Sequence, residues 1–215
     1  MLAAPAIRGG VAVRVVFLVL GLALFAAGIV LLLESGLGLS PWDVLNQGVS
    51  DRTGLSFGTA NVVVAVLVLG IAWLLGARIG PGTVANAVLI GLFVDGLLRV
   101  DAVTRLSDGS LPARVVMLVA GILIIGVGSA LYIGANMGAG PRDSLMLVLA
   151  RRTRTRIGIV RGLLETGVTV LGFALGGTVG IGTLAFAFGI GPSIELAFRL
   201  LDRSPLAEGE VASAA

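Results

Sequence analysis

The chain has no cysteine and no histidine, and all 15 of its basic residues are arginine, because lysine is absent too. These absences exclude disulfides, thiolate catalysis, Cys/His zinc sites and a histidine proton relay. They also exclude lysine Schiff-base chemistry and the lysine of a phosphate-binding P-loop. Charge is scarce, at 13% of 215 residues, and aromatics make up only 5%. A soluble domain carries about 25% charged residues. Hydrophobic residues instead make up 57%, and the mean hydropathy is +1.08. The composition is that of an integral membrane protein with little chain left for a soluble domain. A pI near 10.9 suggests a nucleic-acid partner at first sight. Here the arginines flank apolar segments, so membrane topology accounts for them, and the expected partner is the bilayer.

The fold class expected is an all-α, polytopic membrane bundle. Six apolar segments are long enough to cross, at Val11–Leu33, Phe57–Leu75, Gly82–Leu98, Ala113–Ala135, Ile157–Leu175 and Gly182–Leu201. The first is too long for a signal-peptide core, so it reads as an uncleaved anchor. With the N terminus in the cytoplasm, eleven arginines lie inside and four outside, and the run Arg151-Arg152-Thr153-Arg154-Thr155-Arg156 dominates the bias. Both termini are therefore expected in the cytoplasm.

The chain also repeats itself at an offset of 100 residues. Gly38-Leu39-Ser40-Pro41-Trp42-Asp43 returns as Gly138-Ala139-Gly140-Pro141-Arg142-Asp143. Arg14-Val15-Val16, Gly21, Gly28, Arg52-Thr53, Gly58, Gly82-Thr83, Ile90-Gly91 and Arg99 recur in the same gapless register. This is a duplication. Each copy crosses an odd number of times, so the second copy is expected upside down, an arrangement recurrent in transporters. The units read as an N-terminal tail 1–10, repeat 11–100, a loop 101–112, repeat 113–202 and a tail 203–215. Both tails read as frayed ends.

Each copy carries a segment too short and polar to span. Ser40-Pro41-x-Asp43 places an N-cap serine, a proline at the first helical position and an acid at N3. Gly140-Pro141-Arg142-Asp143 starts the second. A short helix is expected in each copy, either re-entrant or lying at the interface; as re-entrant half-helices the two would meet N-terminus to N-terminus near the midplane and line a cavity. Cysteines at Trp42 and Arg142 should then be reached from opposite sides.

Several polar residues are candidate solute or coupling groups. Asp43 and Asp143 either cap their own helices or face a solute. Glu165 lies deep in the fifth span, one turn from Arg161, and is the strongest candidate for coupling; the same two groups also fit a purely structural ion pair. Asn61, Asn86 and Asn136 are candidate cavity donors, or else glue between helices. Asp95 with Arg99 and Glu195 with Arg199 read as interfacial clamps. Trp42, Trp73 and Tyr132 fit an aromatic belt at the membrane surface. The glycine-rich segments 76–83 and 176–183 are tight hairpin turns, not phosphate loops, since no strand precedes them.

Taken as a set, Gly-x-Gly-x-Ser-Pro-Trp-Asp, its echo Gly-x-Gly-Pro-x-Asp and the later Gly-x-Gly-Thr turns resemble the YczE-like bacterial membrane proteins, related to the YitT/YyaS group. The resemblance covers residues 11–202 and implies a plasma-membrane protein of five or six spans, with no catalytic residues to carry over. The leading expectation is a small secondary transporter or solute pathway. Alternatives are a substrate-binding membrane subunit of a multi-component uptake system and a non-transporting regulatory or scaffold protein. No enzyme, cofactor, metal or nucleic-acid role is expected: there is no Ser–Lys or Ser–His pair, no Gly-x-Gly-Asp aspartate pair and no metal cluster. The solute is unidentified, and self-association stays open.

Overall fold

The computed structural model describes residues 6–206; the rest of both tails lies outside the described residues. Every regular element among them is helical. The order is α1 (Val11–Ser35), α2 (Pro41–Thr53), α3 (Phe57–Leu74), α4 (Pro81–Leu98), a short α5 (Asp101–Thr104) running into a 3₁₀ turn, α6 (Leu111–Gly134), α7 (Pro141–Thr153), α8 (Ile157–Ala174) and α9 (Ile181–Asp202). Helices α1, α3, α4, α6, α8 and α9 are long and apolar enough to cross a membrane. They fall on the six segments expected from hydropathy. The protein is thus a multi-pass helical membrane protein.

Local chemistry sets the element boundaries. Ser40 caps α2, its side chain accepting from the Asp43 N–H, and Pro41 takes the first helical position. Gly54 ends that helix at φ 72°, a left-handed position that glycine takes without strain. In the second copy the same stop falls on Arg154, at φ 53°. A side chain there costs roughly 1–2 kcal/mol. Replacing Arg154 with glycine is therefore expected to stabilise the protein by about 1 kcal/mol. Thermal unfolding of the purified variant in detergent should show a higher midpoint; an unchanged or lower one would contradict this.

Packing at the centre is glycine against glycine. A Cβ on Gly21 would sit 2.8 Å from the Gly128 carbonyl oxygen, and one on Gly28 would sit 2.8 Å from that of Gly121. Helices α1 and α6 thus touch backbone to backbone and run past each other in opposite directions. Contacts between the halves come in reciprocal pairs. The Gly182 N–H donates to Leu37 O (2.7 Å), and the Gly82 N–H donates to Met137 O (2.9 Å). Arg52 Nε donates to Leu175 O at 3.1 Å, and Arg152 Nε donates to Leu75 O at 2.9 Å. These arginines satisfy the last carbonyls of α3 and α8. Arg152 therefore has a local task beyond its place in the basic run.

One part of the N-terminal tail is not frayed. Ile7 is fully buried and donates its N–H to Gly134 O, and Arg8 donates to Leu206 O, both at 2.8 Å. An apolar side chain in the bundle and two backbone bonds fix the segment, which polarity alone did not reveal.

The halves differ in one large respect. Helix α3 packs along α4, whereas α8 and α9 lack this packing. Gly58 lies so close to α4 that a Cβ would come within 2.6 Å of Asp95 Oδ1 and would overlap the Gly91 carbonyl oxygen. Their counterparts Gly158 and Gly191 have nothing within 4 Å. Leu163, Val170 and Phe173 of α8 are accordingly exposed.

Candidate functional site

The N-termini of the two half-helices meet in a cavity of about 290 Å³. Its wall includes residues 40–43 of α2, 140–143 of α7, Asn61 of α3, Asn86 of α4, Tyr132 of α6 and both Arg161 and Glu165 of α8. Helix α2 is enclosed by α3 and α8, and α7 rests on α3, so both half-helices lie within the bundle. Pro41 and Pro141 start them there because a helix N-terminus tolerates a residue without an N–H. Trp42 and Arg142 face one shared cavity, with the Arg142 guanidinium carbon 5.3 Å from the Trp42 ring centroid. Half-helices that meet tip to tip put these equivalent positions in contact.

Asp43 is 1% exposed and well satisfied. It accepts from Ser40 Oγ at 2.5 Å and from Asn46 Nδ2 at 3.2 Å, and lies 3.7 Å from Arg142 Nη2. It caps its own helix and also holds the arginine of the other half-helix. Asp143 lacks these partners, because Gly140 stands where Ser40 stands and offers no side-chain cap. Asp143 instead accepts from the Tyr132 hydroxyl at 3.0 Å. Across the cavity, Arg161 Nε and Glu165 Oε1 pair at 2.8 Å. Their side chains are 45% and 27% exposed.

Asn61 is 3% exposed, and its Nδ2 has no hydrogen-bond partner. Asn86 lines the wall beside Gly140. Asn136 sits at φ 53° after α6, matching Gly36 at φ 57° after α1, and borders a second cavity with Asp143. Among the described residues no group of three or more His, Cys, Asp or Glu side chains is placed to hold a metal ion.

The two clamps behave differently. Glu195 pairs with Arg199 at 2.6 Å on an exposed face. Asp95 turns away from Arg99 and accepts from Ser56 Oγ at 2.5 Å and from the Gly58 N–H at 2.7 Å. The expected Asp95–Arg99 clamp is corrected: the close approach of α3 offers Asp95 a helix N-terminus, with unsatisfied N–H groups and a positive dipole end.

Trp42 and Tyr132 are corrected as well. They are 8% and 5% exposed and line the cavity, while Trp73, near the end of α3, is 62% exposed. A signal for these residues was present in the repeat. Trp42/Arg142, Leu32/Tyr132, Asn61/Arg161, Ala65/Glu165 and Asn86/Phe186 are equivalent positions whose chemistry differs between the copies. All of these except Leu32 line the cavity. Glycines and prolines build the shared frame and stay alike, whereas residues facing one asymmetric space need not.

Comparison with known proteins agrees on the class. The chain is 36% identical over 188 residues to a Haemophilus influenzae protein described as uncharacterised, covering 87% of this chain and 84% of the other. It is 32% identical to the uncharacterised membrane protein YczE of Bacillus subtilis, covering 81% and 80%. It is 31% identical to the uncharacterised protein YyaS of the same organism, covering 77% and 82%. No solved structure matches it. A family model matches residues 12–199, from the start of the first span to the end of the last, so this six-helix protein with paired half-helices belongs to the family of unknown function DUF6198.

Proposed function

We propose that this protein is a small secondary transporter of the plasma membrane, built from two inverted copies that exchange conformations. Reciprocal contacts are what a two-fold axis between copies produces. Each copy contributes three spans and one half-helix, and an odd count places such an axis in the membrane plane. The arginine bias orients both termini to the cytoplasm. No catalytic role is assigned to the cavity.

The observation that carries this reading is the unequal state of the two copies. In the first, Gly58 and Gly91 touch and Asp95 holds the start of α3. In the second, the same positions stand open. With cytoplasmic termini, the closed pair lies toward the outside and the open pair toward the cytoplasm. Exchanging the two arrangements would move access to the cavity from one side to the other, at little cost because the copies share one frame.

The test uses the native absence of cysteine. A single Asn86→Cys should react with a membrane-impermeant maleimide from both sides of oriented vesicles. Bridging Ser56→Cys to Asp95→Cys should confine the reaction to the cytoplasmic side. Reaction from both sides despite the bridge would describe a continuous pore, and no reaction from either side would remove the pathway.

A further inference from the structure

The cavity wall carries three carboxylates, Asp43, Asp143 and Glu165, and two guanidiniums, Arg142 and Arg161. Arg142 lies against Asp43 and Trp42, and Arg161 is bonded to Glu165. Each cation therefore has its carboxylate. Asp143 is left over, and its hydrogen-bond partner is the neutral Tyr132 hydroxyl. The groups facing it are Tyr132 from α6, Arg142 from its own helix, and Arg161 and Glu165 from α8. An anion in low-dielectric surroundings with no cation of its own calls for one.

A second observation points to a ligand independently. Asn61 is 97% buried by its 3% exposure, lines the same cavity, and its Nδ2 has no acceptor. A buried amide donor is normally satisfied. Its helix, α3, packs on α7, the half-helix that carries Asp143. A volume of about 290 Å³ is at the lower end of the roughly 300–1,000 Å³ of ligand pockets, which fits a small solute. Phe25, Trp42 and Phe186 give the wall an apolar part.

We infer that the cavity takes a small primary amine bearing a carbonyl-type acceptor, its ammonium on the Asp143 carboxylate and its acceptor on Asn61 Nδ2. This rests on the solute-pathway reading above and names the class of solute. The ammonium neutralises the surplus carboxylate, and the acceptor satisfies the orphaned donor. Neither an anion nor a simple alkane does both.

Calorimetric titration of the purified full chain in detergent tests this with four probes. Glycinamide carries both groups, glycolamide replaces the ammonium with a hydroxyl, methylammonium lacks the carbonyl, and glycolate is an anion. Glycinamide should bind at least about tenfold more tightly than each of the other three, a difference of about 1.4 kcal/mol. Asp143→Asn should remove that advantage over glycolamide, and Asp143→Glu should keep most of it. Asn61→Leu should remove the advantage over methylammonium. Thermal unfolding of each variant separates lost binding from lost fold, and Asp143→Glu keeps the charge if Asp143→Asn fails to fold. Glycinamide binding no better than glycolamide overturns the inference. Tighter binding of glycolate also overturns it, yet leaves a solute cavity and hence the pathway reading. If no probe binds, the inference falls, and the accessibility of Asn86→Cys judges the pathway separately.

Discussion

Oxidation of the double variant Arg156→Cys/Glu195→Cys is expected to form an intramolecular disulfide and to stop solute flux entirely. These positions are the repeat equivalents of Ser56 and Asp95, whose side chains meet at 2.5 Å. In the present arrangement the close approach of Gly58 to Gly91 has no counterpart in the second copy, where Gly158 and Gly191 have nothing within 4 Å. A disulfide needs Cα atoms within roughly 4.4–6.8 Å. The bridge can therefore form only when the second copy adopts the closed geometry of the first. Trapping that geometry removes one of the two states that flux needs. The pair Ser56→Cys/Asp95→Cys should bridge readily and stop flux by holding the opposite state. Mobility on gels with and without reductant reports the bridge, and uptake into liposomes reports the flux. Failure of the 156/195 pair to bridge, while 56/95 bridges, would mean that the copies do not exchange.

Replacing Gly28 with valine is expected to destabilise the protein by about 3 kcal/mol or more, at or above the usual range for overpacking. The Cβ alone would stand 2.8 Å from the Gly121 carbonyl oxygen and 2.5 Å from Ile125 Cγ1. The first obstacle is backbone, which no rotamer change relieves, so α1 and α6 must separate. Gly70→Val is the control. Its Cβ meets nothing within 4 Å, and surface changes of this kind shift stability by about half a kcal/mol at most. Thermal unfolding in detergent compares the two. Equal midpoints would show that the α1–α6 contact does not govern stability.

Much of the fold was legible because its determinants are local or additive. Hydropathy summed over about 20 residues marks a span whatever it packs against. Ser40-Pro41-x-Asp43 marks a helix start because the cap bond closes within four residues, and that helix begins at Pro41. The pairing of Arg161 with Glu165 was legible for the same reason, since one turn separates them.

The site was less legible. Asp95 had a partner at i+4 by spacing, yet it binds Ser56 and Gly58 on another helix. Tyr132 sits near the end of its helix, as belt residues do, yet its hydroxyl reaches Asp143 in the interior. The sequence alone determined six spans, a duplication, two half-helix starts and a polar group set without lysine, histidine or cysteine. Tertiary structure alone decided that Arg142 crosses to Asp43, that Asp143 keeps no cation of its own, and that α3 and α4 close while α8 and α9 stand apart. Those outcomes depend on contacts between residues 11 to 99 positions apart. Each is selected by how two nearly equal copies pack, and no local propensity encodes that choice.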